Sequence, residues 1–197
     1  MRLWKKNNMA LHNDVFRQQI WEFFCDDLEG CLTVSKLKQS GDGRFKGGLN
    51  FTACLTIFSV IEMCAGYYKG KDTNSDMVAD FLTKYFSKYF DNFRDRSFSK
   101  QFYIVFRHGL SHQWSPKASA IDMNFADNYF LKKVKTENEE ILYLNIPYFY
   151  ECTKRAIKAF EEELDKSKNL REMFKNRYDQ IVDLDYQHMR ILRGKLT

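Results

Sequence analysis

Residues 50 to 68 read NFTACLTIFSVIEMCAGYY, a stretch apolar nearly all round with Glu62 as its one charge. A helix without a polar face is stable only when other elements wrap it, so this stretch is expected to be the central buried helix. Its most apolar part, Phe51 to Ala65, is interrupted by Thr52, Thr56, Ser59 and Glu62 and reads as too short to span a bilayer. A buried carboxylate on such a helix needs a partner. Arg107 is one choice for Glu62, and a loop donor or a different cation is another.

The remaining chain supplies the wrapping. Only 2 prolines and 9 glycines punctuate 197 residues, which disfavours a many-turned β sandwich. The 44% of hydrophobic residues are too many for a disordered chain. Between Leu11 and Leu28, apolar residues recur at helical spacing, with Asn13 as a cap and Gly30 as the stop signal. Residues 31–50 hold four of the glycines and read as a long connection with room for one short strand. A third helix is expected from Ser75 to Phe90, capped by Asn74 or Ser75. A fourth runs from Ser97 to His108 with Phe98, Phe102 and Phe106 as one stripe, and Gln113-Trp114-Ser115-Pro116 breaks it. Residues 129–146 alternate around a polar turn, the pattern of a β-hairpin. Pro147 opens a fifth helix to Leu164, and a last one, Asn169 to Leu192, carries Leu170, Phe174, Tyr178, Ile181 and Leu184 on one face. The expectation is an all-α domain over residues 1–197: a five- or six-helix up-and-down bundle with a core at about 11–165, a C-terminal helix at 169–192, and a small hairpin near 129–146.

Chemistry is confined to a narrow window. The chain has no Gly-rich phosphate loop, no GxSxG, no HExxH and no paired-cysteine metal signature. Its five cysteines have no ligand-like spacing and read as small core hydrophobes. Two of the four histidines fall in Phe106-Arg107-His108-Gly109-Leu110-Ser111-His112-Gln113. Arg107 offers a permanent cation whose forked donors fit phosphate, and His112 can take and give a proton near neutral pH. His108 adds a second imidazole one turn from His112. Together they are the parts needed to cleave RNA without a metal: an imidazole takes the 2′-hydroxyl proton, the arginine stabilises the phosphorane, and an imidazolium protonates the departing 5′-oxygen. A zinc site from His108 and His112 lacks further ligands nearby. On an unbroken α-helix Arg107 and His112 are roughly 140° apart, so either the helix opens at Gly109 or the groups converge with another element or subunit.

At these residues the chain resembles the HEPN superfamily of small α-helical domains. Its signature is an arginine, four to six residues, then histidine, usually with Asn, Asp or His directly after the arginine; Arg107, His108 and His112 fill those places. RHGLSHQWSPK is also similar to the RNGLxHxxxPK form of some bacterial members, and the apolar FSVIEMCAGYY is similar to the helix that usually precedes the motif. The likeness covers about Phe51 to Lys117, and the flanks only by helix count. It implies a bundle of HEPN type, and a homodimer whose two motifs face one another. It also implies a metal-independent endoribonuclease of a defence or toxin–antitoxin system, with an antitoxin or nucleotidyltransferase partner and no cofactor. Other members bind RNA, a nucleotide or a protein partner without cutting, which is the alternative function.

The charge supports a phosphate-bearing partner. Lys84, Lys88, Arg94, Arg96, Lys100, Arg107 and Lys117 face only Asp91 and Asp95 within their stretch, a surplus equal to the +5 of the whole chain. Lys84, Lys88, Arg94, Arg96, Lys100 and Lys117 are therefore expected to contact RNA. The interleaved Tyr85, Phe86, Tyr89, Phe90 and Phe93 sit at helical spacing, which favours packing over base stacking. No signal peptide follows the basic N-terminus, so a cytoplasmic location without a membrane is expected.

Overall fold

Six helices and three short strands make up a computed structural model that describes residues 8–39, 49–110, 119–135 and 139–195. Helix α1 joins Asn8–Val15, a π-helical stretch Phe16–Phe24 and Cys25–Gln39 into one rod, since the junction residues Val15 and Cys25 keep right-handed helical dihedrals. Gly30 does not end it, and residues 31–39, expected as connection, are helical. Nothing lies within 4 Å of where a Gly30 side chain would start. A glycine on an open face costs a helix only about 0.5–1 kcal/mol. Burial of Cys25 and Leu28 on the other face outweighs that.

Helix α2 (Asn50–Lys69) is the central helix the sequence called for, with Ala53, Cys54, Ile57, Phe58, Ile61, Cys64 and Ala65 fully buried. By length and composition its full span could cross a membrane, more than the interrupted Phe51–Ala65 core suggests; 56% of that span is instead buried inside the protein. It ends at Gly70, whose φ of 70° is the left-handed cap that glycine adopts freely. Helix α3 (Ser75–Tyr85) starts on the expected cap, with the Met77 amide donating to the Asn74 side chain at 3.0 Å. It stops before Phe90, and a 3-10 turn Asp91–Arg94 follows. Helix α4 (Arg96–Tyr103) is capped by Asp95, which accepts from the Ser97 amide, and continues as a π-helical turn over Ile104–His108.

The alternating segment forms β2 (Leu131–Lys135) and β3 (Glu140–Asn145), antiparallel with Leu131 opposite Leu144 and Lys135 opposite Glu140. The sheet has a third strand, β1 (Ser119–Asp122), which runs parallel to β3 and pairs Ser119 with Leu142, in the order β1-β3-β2. The fold is thus mostly helical, as expected, with the hairpin extended into a small three-stranded sheet. Helix α5 (Ile146–Lys166) takes Pro147 in its first turn, and α6 (Lys168–Lys195) follows almost directly.

One cluster of buried side chains joins these elements. Phe149 of α5 lies 5.2 Å from Phe58 of α2, 5.6 Å from Phe102 of α4 and 5.6 Å from Phe130 beside β2, measured between ring centres. Tyr67 stacks on Phe174 at 4.1 Å and binds α6 to α2. Tyr85, Phe86 and Phe93 are fully buried, so this part of the aromatic excess is packing.

Candidate functional site

The geometry that matters lies where α4 crosses α2. Tyr103 and Arg107 are four residues apart on α4 and project to one face, as such pairs do on a helix. Glu62, the lone charge of α2, receives both. The Arg107 Nε donates to its Oε1 at 2.6 Å, Nη2 donates to Oε2 at 3.4 Å, and the Tyr103 hydroxyl donates to Oε1 at 2.6 Å. Glu62 and Arg107 are each about one-quarter exposed, so the pair is half-sunk at the surface rather than sealed in the core. The partner left open by the sequence is therefore Arg107.

Two opposing effects act on this guanidinium. Burial disfavours its charge, but the Glu62 carboxylate outweighs burial and holds the pKa above the ordinary arginine value. Burial and the bond to Glu62 both push the Tyr103 hydroxyl upward, so it stays a proton donor to the carboxylate. An arginine has five N–H donors, and the two bonds to Glu62 take one from Nε and one from Nη2. The carboxylate fixes the plane of the fork while engaging only part of it.

His108 follows Arg107 and sets its ring edge-on to Tyr103, with centres 5.1 Å apart. Both residues belong to the π-helical turn Ile104–His108. Such turns are rare and often sit at functional sites. The longer π-helical stretch Phe16–Phe24 buries Phe16, Ile20 and Phe24 in the core. Gly109 keeps helical dihedrals (φ −56°, ψ −49°), so α4 does not open there. His112, Lys117 and the Gln113–Pro116 breaker lie outside the described residues.

The expected RNA contacts are mostly engaged with carboxylates from other parts of the chain. Lys84 bonds Glu163 of α5 at 2.5 Å. Arg96 bonds Asp80 at 2.6 Å and Asp76 at 3.0 Å, and Lys100 reaches Asp76 at 3.1 Å. Arg94 pairs with Asp91 in a fully solvated position, and Lys88 lies over the Tyr85 ring at 5.7 Å. The positive surplus along the sequence is thus partly compensated in space by Glu62, Asp76, Asp80 and Glu163, all outside the Lys84–Lys117 stretch. Of the five expected contacts among the described residues, Lys88 and Arg94 keep the most solvent-facing charge.

Sequence reasoning did not single out Tyr103. Its signal was present: four residues before Arg107, on the same helical face. Among the described residues no three His, Cys, Asp or Glu side chains are grouped to hold a metal ion. The cysteines are free, and burial raises the thiol pKa of Cys54 and Cys64 and pushes Cys152 up to about 12. Comparison with protein-family models, with curated proteins and with solved structures found no significant match.

Proposed function

We propose that the chain is a metal-independent endoribonuclease of HEPN type, acting as a cytoplasmic homodimer in a defence or toxin–antitoxin system. The observation that carries the reading is Arg107, held by the Glu62 carboxylate that Tyr103 also bonds, on the π-helical turn of α4, next to His108 and five residues before His112. Arg107 holds the scissile phosphate through its guanidinium, whose orientation the bonds to Glu62 set. His112 accepts the proton of the 2′-hydroxyl, whose oxygen then attacks the adjacent phosphorus. The P–O5′ bond breaks and the 5′-oxygen leaves with a proton from the His108 imidazolium, giving a 2′,3′-cyclic phosphate. Glu62 and Tyr103 are positioning residues: Glu62 holds Arg107, Tyr103 acts through Glu62, and neither touches a reacting atom.

Cleavage of RNA by the purified protein in excess chelator tests this. His112→Ala should lower the rate by about 100-fold or more, the ordinary contribution of a general acid or base. Cleavage that is unchanged in His112→Ala sinks the assignment.

One observation favours a second reading, a helical dimer that binds RNA, a nucleotide or a protein partner without chemistry. The pairing of Lys84, Arg96 and Lys100 with carboxylates leaves a smaller cationic track than a long RNA would use. Failure of the wild-type protein to cut any RNA, together with salt-sensitive binding that survives His112→Ala, selects this reading.

A further inference from the structure

Helix α6 changes character halfway along. Leu170 and Phe174 are buried against the core, and Ile181 packs at its edge. Beyond them every residue from 183 to 195 is exposed, so this half of the helix extends past the bundle. Its apolar stripe does not stop where the bundle does. Phe174, Ile181 and His188 repeat at seven residues, and so do Leu170, Arg177, Leu184 and Ile191, the alternating four-three spacing of a coiled-coil seam. Leu184 is 43% exposed, Ile191 57% and the adjoining Leu192 56%. A helical extension of this length is marginal in water when other elements leave it exposed, and the stripe of Leu184, Ile191 and Leu192 is the face that a second helix would cover.

The charges choose the occupant and its direction. Asp179, Asp183 and Asp185 carry the proximal part of the extension, and Arg190, Arg193 and Lys195 its distal part. Asp179 is already bonded to Lys175, which leaves Asp183 and Asp185 as the acidic end of the seam. Two such helices laid parallel would set acid on acid and base on base. Laid antiparallel about a two-fold axis between Asp185 and Arg190, each acidic part meets the other's basic part, and the helix dipoles oppose as well. That arrangement also brings Leu184 of each copy toward Ile191 and Leu192 of the other, with His188 near the axis. The surface is complementary to itself, the requirement of a two-fold interface.

We infer that residues 181–195 of α6 form an antiparallel interface with the same segment of a second copy of this chain. The surface is on a different helix from Arg107, and the inference holds whether or not the protein cuts RNA.

Sedimentation equilibrium of the full chain at micromolar concentration tests it. The wild type should sediment as an assembly of an even number of chains. Leu184→Asp with Ile191→Asp should halve that mass while the helical circular dichroism of the bundle is kept. Asp183→Lys with Asp185→Lys, and separately Arg190→Glu with Arg193→Glu, should each halve it, and equimolar mixing of these two variants should restore it. A wild type that sediments as a single chain overturns the inference. So does a mass indifferent to Leu184→Asp with Ile191→Asp, or a mixture of the charge variants that fails to reassemble.

Discussion

Replacing Glu62 by glutamine isolates the junction between α2 and α4 with almost no change of shape. The amide oxygen can take the place of Oε1 and keep the Tyr103 and Arg107 Nε bonds, now to a neutral acceptor. The amide nitrogen then falls opposite Arg107 Nη2, donor against donor, at a position where the carboxylate accepts at 3.4 Å. Hydrogen bonds to charged groups contribute about 1.5–3 kcal/mol. Because both side chains are about one-quarter exposed, water recovers part of the loss, and we set the cost at about 2 kcal/mol. With a urea m-value of about 2 kcal/mol/M, the unfolding midpoint should fall by about 1 M. Arg107→Gln should cost a similar amount, and the double variant should cost less than the sum, with a coupling of about 1–2 kcal/mol. A Glu62→Gln midpoint within about 0.2 M of wild type, or costs that simply add in the double variant, would refute the claim that the pair is an energetic unit.

Two glycines should respond in opposite directions to alanine. Gly70→Ala forces a left-handed residue against the Met173 backbone at 3.1 Å and should destabilise by about 2 kcal/mol, whereas Gly30→Ala meets open space and should stabilise by about 0.5–1 kcal/mol; urea midpoints report both. Acid should act through Glu163: burial alone would raise its pKa, but bonds from Lys84 and Tyr85 outweigh burial and lower it. A lowered carboxylate contributes stability that is full above its unfolded value of about 4.3 and is lost as pH falls through the folded one, so melting temperatures of Glu163→Gln should decline less than wild type below about pH 4.

The helices were legible because their signals are local. Asn74, Pro147 and the apolar run from Asn50 each mark an end or a face within a few residues, and α2, α3 and α5 begin where those signals stand. Gly30 misled because its penalty is small beside the burial of Leu28, a tertiary quantity. Strand β1 escaped notice since four residues are too few for an alternation, and its reason to be extended is the parallel ladder with β3. The candidate site was legible in its residue types, and its pairing only as one of several open choices for Glu62. The window around Arg107 could be found by counting, but that Glu62 would claim Arg107 depends on how α2 crosses α4. The basic stretch shows the same limit more sharply: its neutralising acids, Asp76, Asp80 and Glu163, lie outside it in sequence and against it in space.

The turn of α4 that carries Arg107 closes its backbone over five residues instead of four. It therefore holds one residue more than an ordinary turn for nearly the same rotation about the axis. A shorter version of this chain, missing one residue among Ile104, Val105 and Phe106 and wound as a plain α turn, would still aim its arginine at the position of Glu62. Distance along this helix is better measured in degrees than in residues. A single residue inserted or deleted within the turn would be absorbed there, leaving the spacing from Arg107 onward unchanged and the same face toward α2.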